Sequence, residues 1–342
     1  MLRLEQIKEA QVRISEYTIK TPIIRMEVLD ELLGCKVYLK AECMQKTNSF
    51  KIRGALNKML TMSEDELKAG VVAASSGNHG KGVAFVAKLL GVKATIVVPD
   101  NAPKIKVDGI KSFGAEVVQC PYDERHNVAN ALSKEYGYSI VHPYDDYAIM
   151  AGQGTIGMEI MEQLPDVDYV VVPIGGGGLI SGISTAVKEI SSSVTTIGIE
   201  PECMCRYTKS FAAGERVLLQ AQHSIADAIL TLTPGEKPYP VVKKYVDKII
   251  TVKEEDITQG SIKLLTIGKI MAEFSSAIGI AAALKGALPV EKESKVCFVI
   301  SGGNIDLEAI VKEIKSYFIN KNLFCFQFEW SESIDHFFYL YK

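Results

Sequence analysis

Short apolar, β-branched runs recur along the chain: VVAAS (71–75), ATIVVP (94–99), AEVVQC (115–120), SIVHP (139–143), YVVVPI (169–174), TTIGIE (195–200), KIITV (248–252) and VCFVIS (296–301). Between them lie segments such as GKGVAFVAKLLG and GQGTIGMEIMEQL, with apolar residues at helical spacing. Continuous apolar strands separated by helices predict an α/β protein with parallel sheets covered on both faces. Ligands in such folds bind beyond the carboxyl ends of the strands. The start of the chain places Leu2, Leu4, Ile7, Ala10 and Val12 at spacing that suits an amphipathic surface helix. It carries Glu5 and Glu9 and no long apolar stretch, so it does not read as a secretory signal. No internal repeat and no low-complexity tract is visible.

One uncharged stretch, Tyr169 to Val187, reaches 19 residues. A membrane-spanning helix needs roughly 20 mostly apolar residues. This stretch holds Pro173, five glycines and three hydroxyl residues, so it reads as strand, glycine loop and helix start. Composition narrows the class further. With 342 residues, 47% hydrophobic and 23% charged, the chain predicts a globular protein of two domains or one large one. Lys plus Arg is 38 against 41 acids, which argues against a nucleic-acid binder. Seven cysteines, irregularly spaced, include the close pair Cys203 and Cys205, and no histidine completes a zinc-finger pattern. Reduced thiols in a cytoplasmic protein, with no metal site and no membrane contact, are the expectation.

Three segments that follow predicted strands carry candidate chemistry. In VVPIGGGGLISGI, Gly175, Gly176, Gly177 and Gly178 stand between a strand and a helix. Four glycines cost backbone entropy that a simple turn does not require. They let successive N–H groups face a phosphate at a helix N-terminus, the alternative being a packed turn without ligand. In AASSGNHGKG, Ser75, Ser76, Gly77, Asn78 and His79 supply hydroxyls and amides for an anionic group, although His79 alone reads as a loop-packing histidine. In VCFVISGGNIDL, Ser301 ends a buried strand, where its hydroxyl can donate or accept. A fourth segment, upstream, sets Lys51 between Phe50 and Ile52. Burial lowers a lysine pKa and makes it a Schiff-base former.

NSFKIRGALNKM, SSGNHG, GGGGL and SGGN, in this order, resemble the fold-type II pyridoxal-phosphate enzymes, and best the threonine dehydratase and serine racemase branch. The resemblance runs from about residue 17 to about residue 318, with support from HPYDD (142–146), AGQGTIGMEI (151–160) and Glu273. It implies a tryptophan synthase β-like fold of two open parallel-sheet domains with the cofactor, pyridoxal 5'-phosphate, between them. The large domain would comprise residues 1–52 and 146–320, and the small, substrate-side domain 53–145. By the resemblance, Lys51 carries the cofactor as a Schiff base and then acts as acid or base. Phe50 packs beside the ring, Asn78 bonds its hydroxyl oxygen, Ser301 bonds its nitrogen and Glu273 lies near it. The glycine tetrad takes the phosphate, while Ser75, Ser76, Gly77 and His79 receive the substrate carboxylate. The implied reaction converts L-threonine to 2-oxobutanoate and ammonia, and L-serine to pyruvate and ammonia. The implied assembly is a homodimer or homotetramer.

Departures from the family pattern matter as well. Ser76 stands where racemase-like members have a serine able to reprotonate the opposite face, so serine racemisation is the alternative activity. Asn48 replaces a glycine, and asparagine is the best non-glycine residue for left-handed backbone. Tyr144 replaces an asparagine of serine racemases. Met204 and Arg206 follow Glu200 where divalent-ion-binding members have alanine and aspartate, which argues against a magnesium or calcium site like theirs. Ala228 replaces a glycine. Only about 24 residues follow Phe318, too few for the regulatory domain of biosynthetic dehydratases, so the catabolic form is expected. Ten of the 27 aromatic residues lie between Tyr317 and Lys342, and residues 321–342 read as a nonessential aromatic tail.

Overall fold

The structure, a computed structural model, describes residues 1–320. The aromatic tail, 321–342, lies outside the described residues. Two compact units divide the chain, Met1–Asn304 and Ile305–Lys342. The described part of the second unit contains the helix Leu307–Asn320. All that follows concerns the first.

Ten strands form two sheets: β1 (Ile23–Arg25), β2 (Lys36–Ala41), β3 (Val71–Ala74), β4 (Ala94–Pro99), β5 (Glu116–Cys120), β6 (Ser139–Ile140), β7 (Tyr169–Pro173), β8 (Thr195–Pro201), β9 (Lys248–Val252) and β10 (Lys295–Ile300). The six-stranded sheet has the order β1-β2-β10-β7-β8-β9, and the four-stranded sheet β5-β4-β3-β6. All eight runs read from the sequence are strands. The run at 139–143 is the most reduced, to Ser139–Ile140, with Val141 N–H adding one bond to Val72 O at 2.9 Å. Two strands escape the periodicity argument. In β2, Lys36 and Lys40 interrupt the apolar run. Lys40 is nevertheless buried, because its ammonium reaches the Glu159 carboxylate at 2.5 Å and Thr21 O at 2.7 Å. The short β1 pairs antiparallel with β2, so the larger sheet is parallel except at this edge.

The N-terminal helix, Leu4–Ile14, buries Ile7, Ala10 and Ile14. Val12, counted above on the apolar stripe, faces outward and is 78% exposed. The uncharged stretch resolves into β7, the glycine loop and the helix Gly178–Ile190. Among the described residues no helix is long and apolar enough to cross a membrane.

A central helix, Tyr147–Gln163, determines where the site forms. It is buried along most of its length and lies against the helices Lys51–Leu60 and Gly178–Ile190. Its glycines allow backbone to meet backbone. A Cβ on Gly152 would lie 2.5 Å from Arg53 O and 2.7 Å from Gly54 Cα. On the other side, a Cβ on Gly182 would lie 2.5 Å from Gly154 N. Both neighbouring helices begin at candidate site residues, Lys51 and Gly178. Gly152→Ala is expected to cost about 1–3 kcal/mol through forced separation of these helices. Gly109→Ala, in the helix Lys104–Lys111 where a Cβ meets open space, should be neutral or gain up to about 1 kcal/mol. Urea unfolding of both variants checks this; equal changes would refute the close-packing account.

Candidate active site

Lys51 opens its helix directly after a loop docked on the end of β10. Phe50 N–H donates to Ser301 O at 3.0 Å, Gly303 N–H donates to Asn48 O at 2.8 Å, and Ser49 bridges Gly302. Asn48 adopts φ 57°, the left-handed conformation expected of the residue in the glycine position. The Lys51 ammonium donates to Pro143 O at 2.7 Å and stands 5.1 Å from the centre of the Phe50 ring. Burial pulls its pKa down to about 8, partly opposed by the charge of Glu273. A lysine so placed is roughly half neutral near pH 8, far more than an exposed lysine at the same pH.

The segment after β3 supplies the next group. Gly77 caps the helix Asn78–Leu90, and its N–H donates to Ser75 Oγ at 3.2 Å. Ser75 and Ser76 are half-buried, and among the described residues Ser76 Oγ has no hydrogen-bond partner. Asn78 Nδ2 donates to both oxygens of Glu273 at 2.9 Å, while its Oδ1 accepts from Asn304 Nδ2 at 2.8 Å. Burial pushes the Glu273 carboxyl up to about 7, against the opposing effect of Asn78. His79 turns away from this group: its ring is buried with Nε2 2.7 Å from Val141 O. Burial lowers its pKa to about 3, so the imidazole is neutral and its Nε2–H donates to that carbonyl.

Ser301 is buried at the end of β10, with Oγ 2.9 Å from Ser276 Oγ. Ser276 also donates to Gly302 O at 2.8 Å, and Glu273 N–H donates to the same carbonyl at 3.1 Å. Ser276 therefore ties the β10 end to the start of the helix Phe274–Leu284. The reading of motifs missed it, although it stands three residues after Glu273 in MAEFSSAIGIAAAL. Asn304, the last residue of SGGN, has no role assigned to it by the motif; it accepts from Lys81 Nζ at 2.7 Å and joins the Lys51 loop to Asn78 by donating to Thr47 O at 2.9 Å. An SGGN string alone does not separate this asparagine from an ordinary turn residue.

The glycine tetrad forms a cradle. Gly177 has φ 99°, unfavourable for any residue with a Cβ. A Cβ on Gly176 would lie 2.5 Å from the Tyr144 ring, one on Gly178 2.8 Å from Tyr144 Cβ, and one on Gly177 would overlap the Tyr207 hydroxyl. The N–H groups of Gly175 to Gly178 donate to no acceptor among the described residues. Four such donors at the start of a 13-residue helix fit an anionic group such as a phosphate. Among the described residues no group of three or more His, Cys, Asp or Glu side chains is placed to hold a metal ion. Ala228 N–H donates to Ser275 Oγ at 3.1 Å, and nothing in the structure explains alanine rather than glycine there.

Comparisons with known proteins agree with this geometry. The family described as pyridoxal-phosphate dependent enzyme matches residues 14–302. An L-threonine ammonia-lyase of Thermotoga maritima is 45% identical over 325 residues, covering 94% of this chain and 79% of that protein. A serine racemase of Oryza sativa is 39% identical over 310 residues, covering 89% and 91%. The structure of maize serine racemase superposes with a TM-score of 0.87 at 35% identity, covering 94% of this chain and 99% of the other. With a lysine at the start of one helix, a glycine cradle at the start of another and the family matched over most of its length, this chain belongs to the pyridoxal-phosphate dependent enzymes.

Proposed function

We propose that the chain is a threonine and serine ammonia-lyase of the catabolic type. It would convert L-threonine to 2-oxobutanoate and ammonia, and L-serine to pyruvate and ammonia. The observation that carries this choice within the family is the 45% identity to an L-threonine ammonia-lyase over nearly the whole chain. The proposed substrate is a small β-hydroxy amino acid, the assembly a homodimer or homotetramer and the compartment the cytoplasm. The six cysteines of the described residues are all free, which supports a reducing compartment. The four-stranded sheet is built from β3 to β6, which supports a small domain at 53–145 and a large one from 1–52 and 146–320.

The cofactor, when bound, supplies an electron sink for negative charge at the substrate α-carbon. Lys51 would hold it, with Gly175, Gly176, Gly177 and Gly178 on its phosphate, Asn78 and Ser301 on its ring, and Phe50 and Glu273 beside it. The rest of the work falls to this chain's side chains. Lys51 Nζ, neutral in large part near pH 8, is the group to take the α-proton. Ser75, Ser76, Gly77 and the main chain of His79 surround the place for the substrate carboxylate, at the N-terminus of the helix Asn78–Leu90. The neutral, packed His79 ring supports that loop and is not expected to take up a second proton. A second activity, serine racemisation, is favoured by Ser76, whose unpartnered hydroxyl is the available second proton donor.

Incubation of the holoenzyme with L-threonine and L-serine should release 2-oxo acid and ammonia. D-serine without oxo acid would overturn the lyase reading. Lys51→Ala should lower turnover by about 10²–10⁴-fold or more, and full retention would remove Lys51 from its role. Ser76→Ala should suppress any D-serine while leaving oxo-acid release. In the cofactor-free protein, acylation of Lys51 followed by mass spectrometry should rise with pH through a midpoint near 8, because the neutral amine reacts and burial disfavours the cation. A midpoint at the ordinary lysine value of about 10.4 would contradict the desolvated site.

A further inference from the structure

Behind the glycine loop lies a cation that the proposed chemistry does not use. Arg206 opens the helix Arg206–Ala213 and is 0% exposed. Buried guanidinium groups ordinarily pair with carboxylates. Arg206 forms no such ion pair among the described residues. Its Nη1 donates to Ile174 O at 3.0 Å, its Nη2 donates to Met204 O, and its Nε has no partner. Glu200, the nearby buried acid, instead accepts from Tyr207 N–H at 3.1 Å and from the N–H and hydroxyl of Thr208 at 2.8 and 2.7 Å.

The acceptors of this cation are informative. Ile174 immediately precedes the tetrad, and the neighbouring Tyr207 donates its hydroxyl to Gly176 O at 3.1 Å. Gly176 O also accepts from Gly235 N–H at 2.9 Å. One dipeptide thus holds the carbonyls of residues 174 and 176. In a planar trans peptide the C=O of one residue and the N–H of the next point in opposite directions. Holding Ile174 O and Gly176 O therefore turns the N–H groups of Gly175 and Gly177 away from Arg206 and Tyr207. These are two of the four donors without an acceptor.

We propose that Arg206 and Tyr207 are positioning residues of the phosphate cradle, and that the Arg206 charge serves as a fixed cation acting on the phosphate through the loop. The proposal rests on reading Gly175–Gly178 as the phosphate site. A dianion in front of the loop offsets the buried charge behind it, which Glu200 compensates only without a direct ion pair, and the low-dielectric peptide layer between them leaves their attraction only weakly screened. The arrangement needs no divalent ion, since the positive charge is covalent to the chain.

The test is a spectroscopic titration of the cofactor-free protein with pyridoxal 5'-phosphate and, separately, with pyridoxal, which lacks the phosphate, both in EDTA. Arg206→Met should weaken pyridoxal 5'-phosphate binding about 10–100-fold and change pyridoxal binding by less than about twofold. Arg206→Lys should recover part of the loss, and Tyr207→Phe should lower the preference for the phosphorylated form about threefold or more. Equal weakening of both ligands, or an unchanged preference in the variants, would overturn the proposal. Where Arg206→Met does not fold, Arg206→Lys and Tyr207→Phe decide by the same ratio. A wild-type protein with no preference for the phosphorylated ligand would instead refute the phosphate reading of the tetrad itself.

Discussion

The site depends on one close contact of main chains. The helix Tyr147–Gln163 meets the helix Lys51–Leu60 through Gly152 and Gly54, and the helix Gly178–Ile190 through Gly154 and Gly182. Side chains at these points would hold the helices apart by more than the hydrogen bonds of the site tolerate. Because Lys51 and Gly178 are the first residues of the two outer helices, the spacing of the glycines sets the spacing of amine and cradle. Polar contacts lock the same arrangement. Arg53, two residues after Lys51, donates to Glu42 Oε1 at 2.8 Å and Oε2 at 2.8 Å, and to Glu159 Oε1 at 2.6 Å. Lys40 joins from β2, so two buried acids meet two buried bases. Such a group adds little net stability but specifies one geometry, since any shift strands a buried charge.

Much of this was legible in residue types. Strands without charge, such as β4 and β7, and β10 after its first residue Lys295, announce themselves because a parallel strand buried on both faces has no polar side. The strand-end positions of the tetrad, of SSGNHG and of Ser301 followed from the same pattern. What failed to show depends on partners distant in sequence. The β2 strand reads as interrupted by two lysines until Glu159, 119 residues away, is seen to pair with Lys40. Ser276 and Asn304 acquire meaning only through Ser301 and Asn78. His79, which by itself reads as a loop-packing histidine, has its ring bonded to Val141 O, 62 residues away.

The glycine tetrad shows how two demands can share the same residues. Gly176 and Gly178 lie against Tyr144, and Gly177 against Tyr207, so packing alone forbids larger residues. The same loop leaves four N–H groups without an acceptor among the described residues. A sequence reader cannot separate the two demands, because both require glycine. What the structure adds is where the carbonyls go: those of Ile174 and Gly176 are held by Arg206 and Tyr207, which turns the N–H groups of Gly175 and Gly177 the other way.

The two titratable groups nearest the chemistry are moved toward each other by one cause. Burial lowers Lys51 to about 8 and raises Glu273 to about 7. In water an amine and a carboxyl of these types differ by about six pK units, so a proton on the carboxyl would not persist near the amine. Here the gap is small enough that either group can hold a proton near neutrality. The Asn78 amide, donating to both Glu273 oxygens, favours the charged carboxylate and keeps the acid from rising further. The Glu273 charge in turn opposes the fall of Lys51. The balance is set chiefly by desolvation, so how completely Lys51 and Glu273 are buried governs their protonation as much as their polar neighbours do.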